Sequence, residues 1–261
     1  MAKQLLIYER ATPLSRQRHV DWSVKMSADY GFARQVNSVP LMVAEFAFAA
    51  PEYAIVFGGQ PGEIIPVVLL GVRDNENVHV GEDGSWTGKY VPAFVRRYPF
   101  VFSSTDNGEN FTLCIDEEYA GFNQEGRGER LFDADGEQTQ YLQNVLGFLQ
   151  AYQVQFQRTQ GFTKKLEELG LLEAMQAQFT LRSGQRMTLS GFMTVNRERL
   201  KALPADKLAE LMQADELELM YLHLQSLRNF TPTAERVSGG DQTAPPAAEP
   251  AETAPADAPV H

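Results

Sequence analysis

The stretch Ala54-Ile55-Val56-Phe57-Gly58-Gly59-Gln60-Pro61-Gly62-Glu63-Ile64-Ile65-Pro66-Val67-Val68-Leu69-Leu70-Gly71-Val72 decides the fold class. Two apolar, largely β-branched runs, Ala54–Phe57 and Ile64–Val72, flank Gly58-Gly59-Gln60-Pro61-Gly62, which is turn chemistry. A connection this short joins antiparallel neighbours and leaves no room for a crossover helix. Upstream, Ala44 to Ala50 reads as a short helix that Pro51 stops. Further upstream, Val20, Trp22 and Val24 alternate with His19, Asp21 and Ser23, the period of a half-buried strand. Downstream, turn signals at Asp74-Asn75-Glu76-Asn77, Asp83-Gly84 and Asp106-Asn107-Gly108 separate strand-like runs at Val78–Val80, Phe100–Ser103 and Phe111–Asp116.

The second half changes period. Tyr141, Val145, Phe148, Tyr152 and Phe156 recur at steps of a helical face, with Gly161 as the expected stop. Phe179 and Leu181 before Ser183-Gly184, and Met187 and Leu189 after it, predict a hairpin. Pro204 suits the first turn of a helix carrying Leu208, Leu211 and Met212. Asp215 with Glu218 resembles a capping box for a last helix with Leu217, Met220, Tyr221, Leu224 and Leu227. From Thr231 the composition shifts to six of the 14 prolines, no aromatics and a net charge of −4, which leaves −7 of the total −11 for the body. Such a segment buries too little apolar surface to offset its ordering entropy. It reads as a disordered Pro/Ala-rich acidic tail over 231–261. The body, 1–230, reads as a single α+β domain, strand-rich over 1–132 and helix-rich over 133–230. Its mostly antiparallel N-terminal sheet carries the C-terminal helical part packed on it.

With 261 residues, 43% hydrophobic and 10% aromatic, the chain can build a proper core. A formal charge of −11 argues against nucleic acid and anionic lipid as partners, since both are held by Lys and Arg. The lone Cys114 allows no internal disulfide. The apolar runs Leu41–Phe57 and Ile64–Val72 are broken by Glu45, Pro51 and Glu52, or by Pro66, so no spanning helix is expected. The opening residues lack a signal-peptide core. A soluble protein, cytoplasmic by default, is the expectation, and the tail leaves export through an uncleaved C-terminal signal open.

Several patterns invite chemistry. His19 and Asp21 on one strand face could supply two ligands of a 2-His-1-carboxylate iron site, with His79 as the third. The alternative is a solvated strand face. Asp133-Ala134-Asp135-Gly136 suggests calcium, but the twelfth position is Asn144, so a helix-capping turn is the reading preferred. His223 reads as a satisfied core histidine, and Cys114, between Leu113 and Ile115, as a buried inert thiol. Arg96-Arg97 sits amid Trp86, Tyr90, Phe94, Tyr98 and Phe100. Burying a guanidinium requires a partner, so Trp86, Tyr90, Arg96, Arg97 and Tyr98 are the candidate partner- or anion-binding residues; the alternative is a structural pair of arginines rimming an aromatic cluster. The phosphate-binding Gly-rich loop, the Gly-x-Ser-x-Gly elbow and His-Glu-x-x-His are not found, and no cofactor is expected.

Val39-Pro40-Leu41, Glu45-Phe46 and Tyr53 to Phe57, followed by Trp86 and Tyr90-Val91-Pro92-Ala93-Phe94-Val95-Arg96-Arg97-Tyr98-Pro99-Phe100, resemble the SapC family, named for a bacterial surface-layer-associated protein. Leu113-Cys114-Ile115-Asp116, Gly128-Glu129-Arg130-Leu131-Phe132, Leu189-Ser190-Gly191-Phe192 and Tyr221-Leu222-His223-Leu224 continue it in order over about residues 10 to 230. The resemblance implies a link to the cell envelope or surface layer and carries over no catalytic residues. His19 falls where the family often has a His, but Asp21 does not look like part of its pattern. A peptide-transporter permease shares the name, and a chain without spanning helices does not fit it. The resulting expectation is a soluble non-catalytic accessory or binding protein, with an unknown protein or envelope component as partner. The alternative is a non-haem iron oxygenase using His19, Asp21 and His79.

Overall fold

Turn residues cut the N-terminal half into short pieces. In chain order these are β1 (Ala11–Pro13), α1 (Arg16–His19), β2 (Ser23–Val24), β3 (Ser38–Pro40), α2 (Phe46–Ala49), β4 (Ile55–Gly58), β5 (Ile65–Leu69), α3 (Ala93–Arg96), β6 (Phe100–Ser103), β7 (Thr112–Asp116), β8 (Phe122–Asn123) and β9 (Glu129–Arg130). Then follow α4 (Gln140–Glu168), β10 (Leu172–Thr180), β11 (Arg186–Val195), α5 (Arg197–Lys201), α6 (Ala205–Gln213), α7 (Glu216–Ser226) and α8 (Phe230–Glu235). This computed structural model describes residues 6–104, 110–180, 184 and 186–237. The turn expected at Asp106-Asn107-Gly108, and Leu181 and Ser183 of the expected hairpin, lie outside the described residues.

The fold is α+β. A five-stranded sheet runs β10-β11-β4-β5-β3, with two three-stranded sheets, β1-β7-β6 and β8-β2-β9, beside it. All the paired strands are antiparallel. The β4–β5 hairpin forms as its sequence predicts, and Gly59 and Gly62 supply the positive φ of its connection. Both of its faces are covered. Ile55, Phe57 and Val68 enter the main core with Phe162 and Leu166 of α4. Ala54, Val56 and Leu69 join Phe192 of β11 and pack against Leu227 and Phe230. That two-sided burial explains why the hairpin reads as continuous apolar runs rather than an alternation.

The mostly antiparallel sheet and the C-terminal helices are as expected, and the second-half hairpin extends the sheet, because β11 pairs with β4 at Met193 and Phe57. Other expectations are corrected. Helix α4 continues through Gly161 to Glu168. A Cβ at Gly161 would meet nothing, and the buried Phe162, Thr163 and Leu166 beyond it outweigh the roughly 1 kcal/mol that a helical glycine costs. Asp215 takes a left-handed conformation and makes no side-chain cap. Val78 and His79 form a turn, not a strand, because the Asn77 side chain accepts from the His79 N–H and donates to Ala33 O. The expected tail also loses its first residues: Thr231 to Glu235 are helical, and Thr233, Ala234 and Val237 are buried. The rest of it, 238–261, lies outside the described residues. Among the described residues no helix is long and apolar enough to cross a membrane.

Helix α7 supplies the most unusual contact of the sheet. The register Met193↔Phe57 would set Val195 opposite Ile55. Instead the buried His223 ring stands between them: its Nδ1 lies 2.8 Å from Ile55 O and its Nε2 accepts from the Val195 N–H at 3.0 Å. Ser226 Oγ accepts the Ile55 N–H at 3.0 Å, and Asn229 Nδ2 donates to Ala50 O and Tyr53 O. Side chains of α7 thus complete the backbone pairing of β4, and Asn229 that of the segment before it, as buried peptide groups require. Burial pushes the His223 pKa down to about 4, opposed by the bond to Ile55 O.

Candidate functional site

The aromatic segment around α3 divides between core and surface. Pro92 is extended, and the single turn after it buries Ala93, Phe94 and Val95. Successive helical residues point about 100° apart, so the two adjacent arginines separate. Arg97 is buried, its guanidinium carbon 4.2 Å from the Phe94 ring centre, 5.0 Å from Tyr152 and 5.6 Å from Tyr8. These rings take the cation on their faces. Burial pushes the Tyr152 phenol up to about 12, with the Arg97 charge opposing the shift. Tyr98 is also core: it stacks on Phe32 with ring centres 4.0 Å apart and stands edge-on to Tyr119.

Trp86 works as a latch. Its Nε1 donates to Tyr53 Oη at 3.0 Å and Tyr90 O at 3.1 Å, and Tyr53 Oη in turn donates to Tyr90 O. The Glu52 carboxylate accepts from the Lys89 and Tyr90 N–H groups. Only glycine fits at Gly88, since a Cβ there would collide with Tyr53 Oη. These bonds hold the strip that presents Tyr90 and Arg96.

Tyr90 and Arg96 line an open groove of about 620 Å³ between the 42–48 segment, the 89–96 segment and α4. Phe48 and Phe148 line it as well. Phe48 is 63% exposed and stacks on Tyr90 at 5.6 Å. The buried Glu45 carboxylate organises the inner wall: Oε1 accepts from Tyr90 Oη and the Ala93 N–H, each at 2.7 Å, and Oε2 from the Met42 N–H at 3.0 Å. Burial and the Glu45 charge both raise the Tyr90 phenol pKa, so it stays protonated. Arg96 donates from Nε to Val91 O at 3.0 Å and touches Tyr90 Oη at 3.4 Å, its guanidinium spread over the Tyr90 and Phe148 rings. Among the described residues no carboxylate lies within ion-pair distance of Arg96 or of Lys89. The groove members Glu45, Phe48, Phe148 and Tyr152 were not among the residues singled out from sequence. Phe48, Phe148 and Tyr152 signal only helical spacing, which does not say what they face, and Glu45 stands out only as a carboxylate inside an apolar run.

The iron triad is not assembled. His19 ends α1 rather than lying on a strand, and it is fully buried with Nε2 3.0 Å from Glu117 Oε1 and its ring edge-on to Trp22. Asp21 sits in an exposed turn. His79 belongs to another neighbourhood, with Nδ1 3.0 Å from Arg236 and its ring against Tyr53 and Trp86. Burial and Arg236 push its pKa down to about 4. Among the described residues no three His, Cys, Asp or Glu side chains converge. Glu117 also receives Arg10 and Arg18. Burial would raise its carboxyl pKa, but the bonds from Arg10 and His19 outweigh that and lower it. Asp133 spends its carboxylate on the N–H groups of Asp135 and Glu137 in its own turn. Burial raises the Cys114 thiol pKa, opposite to what a nucleophile needs.

The arrangement of the groove offers apolar area, stacking faces and a cation with open donors, which is binding chemistry. The family model SapC matches residues 14–232 of the chain. No curated protein and no solved structure matches it.

Proposed function

The chain belongs to the SapC family, and we propose that it is a non-catalytic binding protein of cell-envelope or surface-layer biology whose ligand or partner seats in the Tyr90–Arg96 groove. The observation that supports this reading is Arg96 itself: an exposed guanidinium laid over two aromatic rings at the wall of a concave apolar groove, with no carboxylate partner among the described residues. A guanidinium without a carboxylate partner is a local address for a small anionic group, on a chain whose overall charge is −11. Phosphates of nucleic acid are not the proposed target, since the rest of the chain would repel them.

The test is retention on isolated envelope and surface-layer fractions of the native host. Wild-type protein is expected to cosediment. Arg96→Gln is expected to lose retention while keeping its thermal midpoint within about 2 °C, because the residue is exposed and its contacts are confined to Val91 O and the faces of Tyr90 and Phe148. Wild-type protein that stays in the supernatant, or equal retention of the variant, overturns the reading.

A further inference from the structure

We infer that the groove takes an N-acyl amino acid type of ligand: a monoanionic carboxylate with an apolar body and one amide N–H. This rests on the binding reading above and names its ligand class. Three observations on the groove converge on it.

The first is charge. Glu45, Lys89 and Arg96 are the charged side chains lining the groove, which gives a net of +1, and one negative charge neutralises it. A dianion such as a phosphate monoester would meet the Glu45 carboxylate, which lies two hydrogen bonds behind Arg96 through Tyr90 Oη. The second is donor geometry. Arg96 already uses Nε on Val91 O, which leaves the edge formed by its two terminal nitrogens. That edge presents parallel N–H donors matched to the two oxygens of a carboxylate. The third is an orphan acceptor. Gln155 Oε1, at the groove, is buried without a hydrogen-bond partner among the described residues. A buried acceptor left unmade is unfavourable; a turn of the Gln155 side chain into the groove that it lines brings this oxygen to a ligand N–H. The apolar body then lies among Phe48, Tyr90 and Phe148, and a volume of about 620 Å³ is within the range of small-ligand clefts.

Full-length protein would be titrated calorimetrically, below micelle concentrations, with N-dodecanoylglycine, N-acetylphenylalanine, dodecyl phosphate, dodecanol and dodecyltrimethylammonium. At least one of the two N-acyl amino acids is expected to bind about tenfold or more tighter than the alcohol and the ammonium. Arg96→Gln should weaken it about tenfold, as loss of a charge-assisted pair implies. Arg96→Lys should recover part of that loss. Ala151→Trp, which introduces a bulky side chain at an exposed lining position of α4, should abolish binding with the fold intact by circular dichroism. The ligand class is overturned if the ammonium or the alcohol binds as tightly, if the phosphate binds tighter, or if Arg96→Gln binds equally well. Absence of binding by every probe overturns it too. If wild-type protein is still retained on envelope fractions in that case, the binding reading stands and only the ligand class falls.

Discussion

Replacing His223 by leucine removes the bridge between β4 and β11. The ring is fully buried and serves two backbone groups that would otherwise face each other across the sheet, Ile55 O at 2.8 Å and the Val195 N–H at 3.0 Å. Leucine fills similar space and offers neither a donor nor an acceptor. Each orphaned buried group costs about 1–3 kcal/mol, so the variant should lose about 2–6 kcal/mol at pH 7. In urea, with a slope of about 3 kcal/mol/M, the midpoint falls by roughly 1–2 M.

The pH dependence gives a sharper signature. His223 and His79 both have folded pKa values lowered from 6.5 to about 4. Between those values the unfolded chain binds the proton and the folded one does not, so stability is full above about pH 6.5 and is lost as pH falls towards 4. From pH 7 to pH 5 each histidine should remove about 2 kcal/mol, so the wild type should lose about 4 kcal/mol and His223→Leu only about half of that. Urea unfolding at the two pH values measures both quantities. A pH-linked loss in the variant equal to that of the wild type, or a destabilisation under about 0.5 kcal/mol at pH 7, would refute the bridge.

Truncation after Val237 should leave the thermal midpoint within about 2 °C, whereas truncation after Phe230 should lower it by about 5 °C or more, because it removes the buried Thr233, Ala234 and Val237; differential scanning calorimetry separates the two. Glu45→Gln sets an amide N–H against one of the Met42, Ala93 or Tyr90 donors now shared by the carboxylate, so it should cost about 2–3 kcal/mol and bring the Tyr90 phenol pKa down, which ultraviolet titration would detect.

What could be read from sequence was the local part. The β4–β5 hairpin was legible because its turn glycines and its apolar runs agree with each other and with the final packing. The face of α4 was legible from Tyr141 to Phe156, but its end was not, since Gly161 looks like a stop until Phe162 and Leu166 are seen to be core. The alternation over His19 to Val24 misled because a short run carries little weight against a helical turn that begins after Ser15 and buries His19 on Glu117. For the site, Tyr90 and Arg96 stood out as aromatic and cationic neighbours. Glu45, Phe148 and Gln155 reach the same groove from segments far apart in the chain, and no local pattern records that meeting.

The two arginines show why adjacency in sequence did not mean equivalence in the site. One helical turn rotates Arg96 outward and Arg97 inward. Arg97 then lies 5.0 Å from the centre of the Tyr152 ring, and Tyr152 also lines the groove. The buried cation therefore packs on a residue of the groove wall, with Phe94 and Tyr8 completing its cage. Arg96 lies on the wall itself, over Tyr90 and Phe148. Removing both arginines at once would destroy support and recognition together and could not tell one from the other. Removing Arg96 alone leaves Arg97 and its cage in place, so a change in binding then reports on the charge presented to the groove.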